Sequence, residues 1–232
     1  MPGAHAVLRG WGAGMGSDPI LAAVRAHYEG TVAAHGNTAK GVDWKDEDGQ
    51  RLRHHQFLRL LKADPDASVL DLGCGYGDFL PFLRAHGHRG RYMGLDVAPT
   101  MVQAARKLHG EGPDRIFHLG AVPPEPADYA LASGIFNVIR GADPAAWVGY
   151  VEATIGTLAR NARSGFGFNM LSLNSDPERR RADLHYADPP ATLAAMIARY
   201  GRHVALLQDY GLWEFTLLVR HPPASLHPAM QA

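Results

Sequence analysis

The sequence predicts an α/β protein built on a mostly parallel seven-stranded sheet with helices on both faces. Three observations carry this. Apolar runs of strand length alternate with helical periodicity between residues 69 and 171, the pattern of strands joined by crossover helices. The first run ends in glycines at alternate positions, Gly73, Gly75 and Gly77, followed by a helix start at Asp78-Phe79-Leu80. The last two strand candidates, His203–Gln208 and Phe215–Val219, are joined by Asp209-Tyr210-Gly211-Leu212-Trp213. That connection is too short for a crossover helix, so the two strands pair antiparallel as a C-terminal hairpin.

Residues 1–17 are Gly/Ala-rich and are expected to be flexible. Residues 18–67 are expected to hold two helices and a loop. Asp18-Pro19 supplies an N-cap and a proline at the first helical position. Ile20, Leu21, Val24, Tyr28 and Val32 recur at helical spacing, and Gly36 is a stop. A loop from His35 to Trp44 follows, rich in functional groups. Gln50 to Lys62 reads as the second helix, with Phe57, Leu60 and Leu61 inward.

Residues 68–220 form the expected core. Its strands are Val69–Leu72, Tyr92–Asp96, Ile116–Leu119, Tyr129–Ser133 and Phe166–Leu171, ahead of the hairpin. Helices start near Asp78, Pro99, Asp143-Pro144 and Asp188-Pro189. Pro123-Pro124-Glu125-Pro126 is a rigid connector before the fourth strand. Residues 221–232 are a Pro-containing tail.

A chain of 232 residues suits one sizeable α/β core. A hydrophobic fraction of 46% with 20% charged residues is ordinary for a soluble globular protein; with a single cysteine and no basic-then-apolar run in residues 1–17, a cytoplasmic location is expected. Formal net charge is zero, which argues against a broad phosphate-binding surface and so against a nucleic-acid partner. No stretch is long and apolar enough to span a bilayer, so no membrane association is expected. Cys74, the single cysteine, lies inside the glycine turn and reads as a small residue fitting a tight bend. None of the histidines forms a His-x-x-x-His or His-Glu-x-x-His ligand set, and no metal is expected. His54, His55, His86 and His88 lie on or beside helices and are expected to face solvent.

A strand, a glycine turn and a helix N-terminus let a nucleotide-like ligand approach the backbone closely. Two acids sharpen the reading. Asp71 precedes the first glycine, and Asp96 ends the next apolar run, where a carboxylate can accept from ribose hydroxyls. The spacing is Gly-x-Gly-x-Gly with an acid before it. That acid would repel a pyrophosphate and suits a cationic amino-acid ligand.

At these residues the sequence resembles the class I S-adenosylmethionine-dependent methyltransferases. Asp71-Leu72-Gly73-Cys74-Gly75-Tyr76-Gly77 is similar to that family's first motif, and Gly94-Leu95-Asp96-Val97-Ala98 to its second. The resemblance implies a Rossmann-like methyltransferase fold and S-adenosylmethionine (SAM) as methyl donor, with S-adenosylhomocysteine (SAH) as product. It implies cofactor contacts from Asp71, Gly73, Cys74, Gly75, Gly77, Asp96, Val97 and Ser133. The His35–Trp44 loop would be a lid, with Lys40, Gln50 and Arg53 able to meet the cofactor's methionine carboxylate or an anionic acceptor.

Ser133-Gly134-Ile135-Phe136 differs from the Asn/Asp-Pro-Pro-aromatic motif of many nucleobase and glutamine methyltransferases, which favours a small-molecule oxygen or nitrogen acceptor. Leu119-Gly120-Ala121 stands where many members place an acid for the adenine amino group, so backbone or neighbouring groups must serve there. His35, Asp43, His185, Tyr186, Tyr210 and Glu214 are the candidates for a general base, with His35, His185 and Tyr210 put first. Arg179-Arg180-Arg181 reads as a solvated run that could instead meet an anionic acceptor. A monomer or homodimer is expected. A dinucleotide dehydrogenase, a non-catalytic SAM-binding partner and a nucleic-acid methyltransferase are the rival readings.

Overall fold

The structure, a computed structural model, describes residues 19–36, 47–61, 63–139 and 141–222. Two helices lead, α1 (Pro19–His35) and α2 (Glu47–Leu61). The core then runs β1 (Val69–Leu72), α3 (Phe79–Ala85), β2 (Tyr92–Asp96), α4 (Pro99–His109), β3 (Arg115–Leu119) and β4 (Ala127–Ala132). It continues with α5 (Pro144–Arg160), β5 (Ala162–Leu171), α6 (Pro189–Tyr200), β6 (Val204–Leu207) and β7 (Glu214–Arg220). The seven strands form one sheet in the order β3-β2-β1-β4-β5-β7-β6. β1 to β5 pair in parallel, and β7 runs antiparallel between β5 and β6. The order reverses between β1 and β4, and a crevice opens at their carboxyl ends.

Strand alternation divides the core into two layers. Leu70, Leu72, Met93 and Leu95 face α5 and α6. Val69, Tyr92, Phe117 and Tyr129 face α2, α3 and α4. Leu21 of α1 joins the α5 side. Helix starts follow the local rules: Pro144 and Pro189 stand in the first turns, and Asp143 and Asp188 accept from Ala146 N–H and Ala191 N–H at 2.9 and 3.0 Å. These bonds satisfy donors that the first helical turn leaves open.

Several element boundaries differ from the sequence reading, β3, β6 and β7 by one residue at one end or both. β5 begins at Ala162, not Phe166, because Gly165 and Gly167 lie within it. A Cβ on Gly165 would come within 2.5 Å of Val219 O, and one on Gly167 within 2.9 Å of Leu218. The glycines permit close pairing with β7, which local strand propensity cannot show. β4 begins at Ala127 and ends at Ala132, one residue short of Ser133. α2 begins at Glu47, with Glu47 and Asp48 in its first turn, where acids favour a helix N-terminus.

Two histidines expected to face solvent are buried. His54 is 4% exposed and packs its ring 4.8 Å from Phe79 and 5.2 Å from Phe82, centroid to centroid. His88 is also buried. Helical periodicity marks both as polar; the aromatic surface of α3 is what takes His54 inside. His86 is exposed and lies against Phe82. Among the described residues no helix is long and apolar enough to cross a membrane.

Candidate functional site

The crevice is floored by the glycine turn. Gly73 and Gly75 hold φ of +78° and +56°, a backbone region that residues with a Cβ rarely adopt. A Cβ on Gly73 would lie 2.2 Å from Ile135 Cγ2, so the turn also packs directly on the loop after β4. Gly73 N–H and Cys74 N–H both donate to Leu95 O, at 2.7 and 2.9 Å, which ties the turn to β2.

Asp96, at the end of β2, completes the floor. Its Oδ2 accepts from Gly75 N–H at 2.9 Å and its Oδ1 from Ala98 N–H at 2.9 Å. A carboxylate has about four acceptor positions, so further positions remain beyond these two. Burial raises the Asp96 pKa, and the backbone donors oppose that shift. Asp71 lies one strand away and accepts from the Tyr92 hydroxyl at 2.6 Å. Burial lifts its carboxyl to about 7; the Tyr92 bond opposes the rise and the Asp96 charge adds to it. Asp78, in front of α3, also lines the crevice and is raised by burial. Three carboxyl groups in one cleft, each resisting ionisation, would be relieved by a cation.

The other walls come from distant segments. Gln50 and His54, one turn apart on α2, line the side above Tyr76, whose hydroxyl donates to Gln50 Oε1 at 3.3 Å. Burial and the Asp78 charge push that phenol up to about 12. His54 is pushed down to about 3 by burial, then by Arg53 and neighbouring cations, so its imidazole is neutral. Its Nδ1 is buried without a hydrogen-bond partner, and Asp78 Oδ2 is 3.9 Å away. Val97, Met101, Gly120 and Ala121 line the β2–β3 side. Ser133, Gly134 and Ile135 line the β4 side, where Asn169 of β5 holds the loop: Gly134 N–H donates to its Oδ1 at 2.7 Å, and its Nδ2 donates to Ser133 Oγ at 3.2 Å.

Of the residues singled out in the sequence, Asp71, Gly73, Cys74, Gly75, Asp96, Val97, Ser133 and Gln50 all line this cleft. Gly77 does not; a Cβ there would meet His109 and Phe117 at 3.0 Å, so it packs the turn against α4 and β3. Arg53 is also placed elsewhere. Its Nε donates to Glu214 Oε2 at 2.7 Å, with Arg53 and Glu214 side chains 11% and 1% exposed. Tyr210 closes the same group, donating to Glu214 Oε1 at 3.2 Å, with Thr216 Oγ1 3.0 Å from its hydroxyl. Burial and the Glu214 charge raise the Tyr210 pKa, and a phenol so held is a poor general base. His185 packs toward Trp147, with ring centroids 6.3 Å apart, and its backbone N–H donates to Asn137 O at 2.8 Å. It does not line the cleft. His35 is the last residue of α1, while Lys40 and most of the expected lid, residues 37–44, fall outside the described residues. Arg179 and Arg181 pair locally with Asp176 and Asp183. Among the described residues no cluster of three His, Cys, Asp or Glu could hold a metal ion.

Sequence reasoning missed Tyr92, His54, and the α1 and α5 residues of the cleft. The spacing of Gln50 and His54, four apart, was the available sign that both face one side of α2.

The family model described as "Methyltransferase domain" matches residues 70–157. A candidate methyltransferase of Mycobacterium tuberculosis, Rv1506c, is 44% identical over 163 residues, covering 70% of this chain and 98% of the relative. The trans-aconitate 2-methyltransferase of Methylobacterium nodulans is 28% identical over 162 residues, covering 68% of this chain and 58% of that protein. Among solved structures, magnesium protoporphyrin IX methyltransferase of Synechocystis with bound SAH has a TM-score of 0.63 at 15% identity, covering 87% of this chain and 99% of its own. That likeness is one of fold.

Proposed function

Since the chain belongs to the class I S-adenosylmethionine-dependent methyltransferases, we propose that it transfers a methyl group from SAM to an oxygen or nitrogen of a small molecule. The observation that carries this reading is the Asp96 carboxylate, fixed by Gly75 and Ala98 N–H groups beside a turn free of side chains. Asp96 would take the ribose hydroxyls. The backbone of Gly73 to Gly75 would lie along the methionine part, Val97 would pack on the adenine, and Gln50 and Ser133 would contribute polar contacts. Lys40 is retained as a partner for the cofactor carboxylate. Arg53 and Tyr210 serve instead to anchor α2 on β7.

SAM supplies a sulfonium whose methyl is lost by in-line displacement. The protein's part is proximity, orientation and exclusion of water. Asp71 and Asp78 favour a cationic ligand over its neutral product through charge. A small-molecule acceptor accords with the names of the trans-aconitate and magnesium protoporphyrin IX enzymes.

Methyl transfer from isotopically labelled SAM across a panel of phenols, carboxylic acids and amines tests the proposal. A labelled product with at least one acceptor class is expected. SAM binding with no transfer to any acceptor class would instead make the chain a non-catalytic SAM-binding protein.

A further inference from the structure

The cleft continues past the glycine turn into a seam between α1 and α5. The cause lies in the chain's connections. Residues 120–126, between β3 and β4, contain Pro123, Pro124 and Pro126 and form no helix. Helix α1, from the far N-terminal side, packs on α4 and brings Leu21 and Val24 to the cleft that α5 also lines. Tyr150, Thr154 and Thr157, spaced four and three apart and so on one helix face, form one wall. Leu21, Val24 and Ile135 line the same cleft.

This wall presents less polarity than its sequence suggests. Thr154 Oγ1 donates to Tyr150 O at 2.8 Å and Thr157 Oγ1 to Ala153 O at 3.1 Å. With both hydroxyls turned onto the helix backbone, the threonine methyl groups are the surface left for a ligand. The same cleft holds the Asp96 floor, so this wall and the glycine turn open into one continuous space.

We propose that the α1–α5 seam seats an apolar chain carried by the methyl acceptor, so that the acceptor is a hydroxyl- or amine-bearing molecule with an alkyl or aryl-alkyl tail. This rests on the methyl-transfer reading above. Continuity with the Asp96 floor is what assigns the seam to the acceptor: a tail there leaves the polar end of the molecule in the crevice beside the reacting cofactor.

Binding of a 4-alkylphenol series, from ethyl to octyl, to the full chain saturated with SAH is the test. Affinity should rise about fourfold per methylene, the effect of burying a CH₂ group at about 0.8 kcal/mol. Val24→Gln and Thr157→Lys, both at partly exposed positions, should each flatten the series while SAH still binds. A flat series in the SAH-bound wild type overturns the inference and leaves the methyl-transfer reading standing. Failure of the wild type to bind SAH counts against that reading instead. Loss of SAH and alkylphenol binding together in folded variants would mean the seam belongs to the cofactor, which also overturns the proposal. If a variant fails to fold, the wild-type series still decides.

Discussion

The Asp96 carboxylate is bonded to Gly75, 21 residues earlier in the chain, at 2.9 Å. One side chain thus holds the glycine turn in shape and keeps acceptor positions for a ligand. Asp96→Ala should have two separable effects. Losing charge-assisted bonds to the ribose should cost about 2–3 kcal/mol, or roughly 30- to 150-fold in SAM affinity. Leaving two backbone donors without their acceptor should lower stability by about 1–3 kcal/mol. Calorimetry and urea unfolding read these in turn. Unchanged SAM affinity in a folded variant would remove the ribose role.

The contact between Gly73 and Ile135 makes a second prediction. Gly73→Ala should destabilise through the left-handed backbone, about 1–2 kcal/mol, and through overpacking on Ile135, about 1–3 kcal/mol. In an Ile135→Ala background the overpacking part should vanish and the backbone part remain. A double-mutant cycle in urea with no coupling between the sites would show that the two do not meet.

The buried group of Arg53, Glu214 and Tyr210 joins α2 to β7, and α2 carries Gln50 and His54 into the cleft. Glu214→Gln should destabilise by about 3–5 kcal/mol, since removing one member of a buried pair leaves the other charge uncompensated. Arg53→Met with Glu214→Leu should recover much of that loss. Tyr210→Phe should cost about 1 kcal/mol and leave methyl transfer intact. Abolished transfer with unchanged SAM affinity in Tyr210→Phe would restore Tyr210 as a general base.

Buried His54 gives the stability a pH dependence. Its folded pKa is about 3 against an ordinary 6.5, so the unfolded chain binds the extra proton between those values. The neutral imidazole's contribution is complete above about pH 6.5 and is lost as pH falls, at up to about 1.4 kcal/mol per unit. His54→Phe should flatten the decline of melting temperature between pH 6.5 and 4.5. An identical decline would assign the acid sensitivity to other groups.

Asp71 works in the opposite sense. Its folded pKa of about 7 lies above its ordinary 3.8, so the folded state binds the proton, and this contribution to stability falls as pH rises from about 4 to 7. A sulfonium nearby favours the carboxylate. SAM binding near pH 6 should therefore release more protons than SAH binding, and the preference for SAM over SAH should grow toward pH 8. Calorimetry in buffers of different ionisation enthalpy counts the protons. Equal release with both ligands would place the sulfonium away from Asp71.

Much of this protein is determined by its sequence alone. Alternating periodicities, proline-started helices, the glycine turn and the two acids at strand ends specify the sheet, its hairpin and the floor of the cleft. They do so because each signal acts within a few residues, through backbone geometry and side-chain period. The tertiary structure alone decided what depends on distant partners. It paired Asp71 with Tyr92, took Arg53 and Tyr210 to Glu214, buried His54 against Phe79 and brought residues of α1 and α5 to one cleft. Whether a polar side chain ends in a cleft, an ion pair or solvent is settled by the surfaces that long-range packing brings to it, and helical spacing names only the face it leaves from.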